Sequence, residues 1–404
     1  MQSSSYLGSF LGFKEITFVN KFALFLAIAS LTGGSLVVEA SAAIAQSGGR
    51  AVDGALSSQS LIAQDTSSNL SDEEAKQLSD LLGEAKKKVS SGDYAGAIAL
   101  YQQATRIDRE NARIYSGIAY LEVKQGNFEA AAEYYRQALE REPRNLPFHY
   151  GLAHSLFMDE RYEQAADAYR HLIDIEPRAA DALIGLGGSL LRLDAYDEAR
   201  EAYERAVRIA PDNAQAYEAI GLLYVAQEDY DSAIGPLQRA LALDNTRSSV
   251  YANLARIWLA RGDQSQAFSA LQNAVRLNER DAESHLALGE ILRDRGEANE
   301  ALNHFEQAVE SDPDLLGAQA AMGELLLARG QYLRAVLAYR RLITAFPDDP
   351  GVRYNLGLAL WGQGNSGAAI DTLSHALDLY EAADDESGTK RAKALLEAWR
   401  SEQG

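Results

Sequence analysis

The chain has 404 residues, with 38 basic and 58 acidic side chains, a formal net charge of −20 and no cysteine. An excess of acid argues against a nucleic-acid binder, whose affinity rests on neutralising phosphates, and equally against a binder of anionic membrane surfaces. Without cysteine there is no disulfide, no thiolate chemistry and no acceptor for a lipid at an export cleavage site.

The first segment differs in kind from the rest. Lys14 and Lys21 precede the apolar run Phe22–Leu31, Gly33 and Gly34 interrupt it, and Ala43-Ile44-Ala45 sets small residues two apart before Gln46. That order is the order of a secretory signal peptide, which assigns residues 1–45 to a cleaved leader. A second reading stands beside it. Phe22–Val38 is uncharged for 17 residues, the short limit for a membrane anchor, although the paired glycines weaken a span. Either way an extracytoplasmic location is expected: a periplasm, or a thylakoid lumen if the source is photosynthetic. Residues 46–70, rich in Ser, Gly, Ala and Gln, read as a flexible linker. Helix resumes at Ser71-Asp72-Glu73-Glu74, where a serine caps and acids favour the positive helix end.

From Leu78 the chain keeps a beat of 34. Alanine recurs at Ala97, Ala131, Ala165, Ala199, Ala233, Ala267, Ala301, Ala335 and Ala369, slot 20 of nine units that start at 78, 112, 146, 180, 214, 248, 282, 316 and 350. Slot 8 holds only Ala or Gly, from Ala85 to Gly357. Slot 24 holds Tyr101, Tyr135, Tyr169, Tyr203, Leu237, Leu271, Phe305, Tyr339 and Leu373, and five units close with proline at Pro143, Pro177, Pro211, Pro313 and Pro347. Nine such units fill residues 78–383 without an insertion, so residues 71–383 read as one array.

Each unit reads as a helical hairpin. Tyr115, Ile118, Ala119 and Glu122 follow the 3–4 spacing of one helix face, and Ala131, Tyr135, Ala138 and Leu139 repeat it. Between them lies slot 15, glycine in six units, where a left-handed backbone ends a helix. Glu160, Asp194 and Glu228 replace it in units three to five, at a cost of about 1 kcal/mol each if the slot is left-handed. Small residues at slots 8 and 20 let helix axes approach, and the large slot-24 residue fills the space beside them. One hairpin cannot bury its apolar face, so neighbours must stack. Pro236 removes one backbone donor inside the fifth unit and predicts a local bend. After the break at Asp384–Gly388, Ala392, Leu395, Leu396 and Trp399 form an apolar stripe, so residues 384–404 read as a helix that caps the array.

These residues resemble the tetratricopeptide-repeat (TPR) family, whose period is 34. The resemblance covers about three quarters of the chain and implies an all-α, right-handed superhelical solenoid of helix-turn-helix repeats that binds proteins and does not catalyse. It also implies that first helices line a concave face through slots 2, 5, 9, 12 and 13. Those slots offer Tyr120, Tyr150, His154, Phe157, Met158, Ile184 and Leu191 in repeats two to four. Repeats six to eight offer Arg256 and Arg293 with Glu290, Asp294 and Glu324, and repeat nine offers Tyr354 and Trp361. Aromatics and Met favour the first zone as a partner groove, with ordinary packing as its rival. The Arg256, Glu290, Arg293 and Asp294 group reads more simply as a self-paired surface network. Slot 5 carries no basic residue, so capture of a chaperone tail by its terminal carboxylate is not expected.

Nothing in the pattern points to catalysis, a cofactor or a metal. The repeats leave no room in 78–383 for a catalytic domain, and no glycine-rich phosphate loop is apparent. His149, His154, His171, His285, His304 and His375 show no metal-ligand spacing, and His149 and His285 stand at slot 4 where Tyr115, Tyr217 and Tyr251 stand elsewhere, as packing residues would. The expectation is an exported scaffold that holds a peptide or helix of a protein partner. Alternatives are a membrane-anchored assembly factor and an accessory subunit of a polysaccharide synthesis or export complex.

Overall fold

The computed structural model describes residues 70–403; the leader, the anchor alternative and nearly all of the linker lie outside the described residues. Nineteen helices follow one another, with no strand among the described residues. In chain order, α1 is Asp72–Ser90, α2 Tyr94–Ile107, α3 Ala112–Gln125, α4 Phe128–Arg141, α5 Leu146–Met158, α6 Tyr162–Ile175 and α7 Ala180–Arg192. Then come α8 Tyr196–Ile209, α9 Ala214–Ala226, α10 Tyr230–Leu243, α11 Ser248–Ala260, α12 Gln264–Leu277 and α13 Ala282–Asp294. The last are α14 Ala298–Ser311, α15 Leu316–Ala328, α16 Tyr332–Ala345, α17 Pro350–Gly362, α18 Ser366–Ala382 and α19 Glu386–Gln403. Odd and even helices pair as the nine expected hairpins. The first begins at a capping box in which Ser71 Oγ accepts from the Glu74 amide and Glu74 Oε2 accepts from the Ser71 amide.

Every hairpin turns in one way. The slot-16 amide donates to the slot-11 carbonyl in all nine, from Asp93 to Lys88 through Asn365 to Leu360, at 2.8–2.9 Å. Slot 15 between them is left-handed throughout, which makes the turn a Schellman motif. Its φ is 79° at Gly126 and still 59° at Glu160, 56° at Asp194 and 58° at Glu228. The bond pattern fixes the conformation, and the side chain conforms. Pro236 sits inside α10, which nevertheless runs its full 14 residues like its siblings.

The fold groups into two units, residues 70–245 and 246–403 among those described. Within each, first helices pack directly on first helices: α3 on α5, α5 on α7, α7 on α9, and α13 on α15, α15 on α17. They form an inner layer, and the second helices stand outside it. The slot-24 residues fill the joints. Tyr135, Tyr169, Tyr203, Phe305 and Tyr339 are fully buried. Four of these rings press on glycine: a methyl group on Gly151 would overlap Tyr135, one on Gly185 Tyr169, one on Gly187 Tyr203 and one on Gly289 Phe305. The last helix, α19, buries Ala392, Leu396 and Trp399 against the hairpin of α17 and α18.

Candidate functional site

On the inner layer of the first unit, four of the seven sequence-selected residues are core. Phe157 is 2% exposed, Ile184 is inaccessible, and Leu191 and His154 are buried. Phe157 packs edge-on against Tyr162 at 5.5 Å, so its ring closes its own hairpin and is not presented outward. Tyr120, Tyr150 and Met158 are half-buried on the touching helices α3 and α5. Lys124 stands 5.0 Å over the Tyr120 ring. Burial, reinforced by Asp181, pushes the Tyr150 hydroxyl up to about 12, while the Ala182 amide bonds its oxygen. That amide belongs to the first turn of α7, where Ala179 offers no side-chain cap. Tyr150 thus ties repeat three to repeat four and still shows a face to solvent.

In repeat nine the two selected aromatics already have partners. Trp361 stacks on Trp399 of α19 with centroids 4.4 Å apart and planes 2° from parallel. Tyr354 meets Tyr380 edge-on at 6.5 Å, with the Arg391 guanidinium 5.8 Å from its centroid. The C-terminal helix therefore occupies the place these rings were expected to offer to a partner.

The charged group of repeats six to eight departs from the surface network expected of it. Arg256 and Glu324 are each 7% exposed, and Glu290 and Arg293 are half-buried. Three of these four stand at slot 9, which faces the neighbouring first helix and is drawn into the joint. The internal pairing is incomplete: Arg293 bonds Asp294 Oδ1 through Nε and Nη2 at 3.3 and 3.4 Å, while Glu324 Oε1 is buried without a partner. Burial first, against the pull of Arg293, raises both Glu290 and Glu324 to about 7.

Two histidine pairs were invisible in the sequence because their members lie 19 and 22 residues apart. His149 Nε2 donates to the Pro143 carbonyl at 2.8 Å, and His285 Nε2 donates to that of Glu279 at 3.2 Å. Gln319 and Arg353, also at slot 4, reach the carbonyls of Pro313 and Pro347. In these four repeats the slot stitches the first helix to the turn before it. The other nitrogen of His285 accepts from His304 Nδ1 at 2.9 Å, and the His149 and His171 rings lie 4.9 Å apart. Burial holds His149, His285 and His304 below the ordinary imidazole value, which keeps them neutral in this packing role. Among the described residues no three His, Cys, Asp or Glu converge as metal ligands. Nor is any described helix long and apolar enough to cross a membrane. The outer face carries one anomaly: Leu333 and Leu337 of α16, each 61% exposed, stand at slots that are small or polar in the other eight repeats.

A family model, the C-terminal domain of cilia and flagella-associated protein 70, matches residues 39–312 and again 147–395. The chain is a tetratricopeptide-repeat protein. It belongs to the family of that domain, and the nine hairpins are its repeats. Among solved structures it is similar to a tetratricopeptide repeat protein from Parabacteroides merdae, at 17% identity, over 62% of this chain and 99% of that one, with a TM-score of 0.52. It also matches the Cut9–Hcn1 assembly of the APC/C at 16% identity, over 82% and 79%, TM-score 0.45. YrrB, described as a TPR protein with an unusual peptide-binding site, matches at 22% over 47% and 98%, TM-score 0.36. At these identities the likeness is one of fold. No curated relative matches. Proteins of this repeat family are in general non-catalytic scaffolds for protein–protein interaction.

Proposed function

We propose that this chain is a non-catalytic scaffold, exported from the cytoplasm, that holds a peptide or helix of a partner protein against its first helices and supports assembly of an envelope or membrane complex. One observation carries the reading. Tyr120, Tyr150 and Met158 stand half-buried, with part of each side chain open to solvent, on the touching inner helices α3 and α5, and such side chains anchor interface centres when a partner desolvates them. The signal-like order of residues 14–46 supports export, with the uncharged run 22–38 favouring a membrane-anchored form of the same scaffold. YrrB, a protein of the same repeat fold, is described with a peptide-binding site.

The test replaces Tyr120 and Tyr150 singly with Ser and measures recovery of co-purifying envelope proteins. Loss of one anchor weakens binding by about thirtyfold or more. Arg136→Ala and Glu133→Ala, which break an exposed pair at 3.4 Å on the outer α4, leave recovery unchanged. Folded Tyr variants that recover the partner as well as the parent does would remove these aromatics from the site.

A further inference from the structure

Slot 9 places Glu290 on α13 and Glu324 on α15, first helices that pack on each other in one unit. Three carboxylates (Glu290, Asp294 and Glu324) share the Arg293 guanidinium, while Arg256, buried at slot 9 of the preceding first helix, completes the charged group. Arg293 turns its Nε and Nη2 to Asp294. Glu324 is left more than nine-tenths buried with Oε1 unbonded. A buried carboxylate oxygen without a donor is costly, and native folds rarely leave one so. Apolar neighbours deepen the effect, since Leu286 and Leu292 on α13 are buried and Leu327 on α15 is half-buried. Arg293 Nη1 is likewise buried without a partner, so the cluster is incompletely paired within itself, and its three carboxylates outnumber this guanidinium.

We propose that Glu290 and Glu324 form a cation subsite on the inner face of repeats seven and eight, which receives the guanidinium or ammonium of a basic side chain in the bound segment. The proposal rests on the groove reading above and specifies its chemistry: the partner brings a positive charge to this position. A guanidinium supplies the donors that Glu324 Oε1 lacks, and with Arg293 it matches two of the three carboxylates. The groups acting on the pair come from α13, α15 and α16: Arg293 of α13 acts on both carboxylates, Asp294 on Glu290 and Glu290 on Glu324 of α15, and the Tyr339 hydroxyl of α16 feels Glu324. With both carboxyls raised to about 7, the empty site is largely protonated below neutrality. An arriving cation favours the ionised form, so binding releases protons at pH 6–7 and weakens as pH falls further.

The experiment uses the full chain and three nine-residue Ala/Ser peptides with a central arginine, lysine or citrulline, titrated calorimetrically in two buffers of different ionisation enthalpy. The arginine and lysine peptides should bind about tenfold or more tighter than the citrulline peptide at pH 8, the worth of one desolvated charge pair. At pH 6.5 their enthalpies should differ between buffers by the heat of released protons. Glu290→Gln with Glu324→Gln keeps the shape of the protonated acids, so the fold is retained; it should abolish both the preference and the proton release. Glu133→Gln on the outer face should change neither. Equal affinity for arginine and citrulline peptides, a preference that survives the double Gln variant, or no binding of any peptide overturns the subsite. The groove reading fails separately: normal partner recovery by the Tyr120 and Tyr150 variants sinks that reading and leaves the peptide result standing.

Discussion

Slot 15 shows how far a single residue can be read from sequence. Six glycines at one position of a repeat imply a left-handed turn, and the turn is left-handed in all nine hairpins. Glu160, Asp194 and Glu228 adopt it against the crowding of their Cβ atoms, at about 1 kcal/mol or somewhat more each. Asp194 recovers part of this by accepting from the Tyr196 hydroxyl at 2.7 Å, whereas Glu228 has no such bond to its neighbour. Glu228→Gly should therefore stabilise repeat five by about 1 kcal/mol, read as slower hydrogen exchange in α9 and α10; unchanged exchange would refute the strain argument. The slot-9 charges were legible only as residues. The family resemblance placed Arg256, Glu290 and Glu324 on the inner face, but depth depends on how closely neighbouring hairpins approach, and no spacing rule contains that distance. A self-paired surface network was the natural reading of Arg256, Glu290, Arg293 and Asp294; Arg293 does pair with an exposed Asp294, but Arg256 is buried and Glu290 half-buried.

Among elements, the hairpin was legible in full and the joint between hairpins only in part. Alanine at slot 20 and a large residue at slot 24 announce a close helix pair, and these positions are buried throughout. Where each ring points was not legible. Tyr135 crosses to slot 6 of the next repeat, against Gly151, whereas Tyr203 lies against Gly187 of its own repeat. The same slot 6 then gives opposite responses to one methyl group. Gly151→Ala meets the Tyr135 ring and should cost about 1–3 kcal/mol by overpacking. Gly83→Ala meets nothing within 4 Å and should gain about 0.5–1 kcal/mol from helix propensity. Urea unfolding monitored by helicity measures both; two changes of the same sign would contradict the packing described. Phe157 and Trp361 show the same limit from the side of function. Their slots face inward, yet Tyr162 closes over one and Trp399 stacks on the other, and neither contact follows from the 34-residue period.

At the scale of the whole molecule, repetition does two things. It removes the need for a single large core, since each hairpin is completed by its neighbours. It also sets nine inner helices free to differ at the slots that packing does not use. The first unit spends them on Tyr120, Tyr150 and Met158, and the second on buried acid and arginine. Each unit thus presents its own chemistry on its first helices. The central claim is that the partner lies on first helices, and site-specific photo-crosslinking tests it most directly. A benzophenone amino acid replaces Tyr120, Tyr150, Glu133 or Asp197 one at a time in cells that make the protein. The account predicts a discrete adduct of the same mass from positions 120 and 150 and none from 133 and 197, which stand 60% and 93% exposed on outer helices. Adducts confined to the outer positions would contradict it.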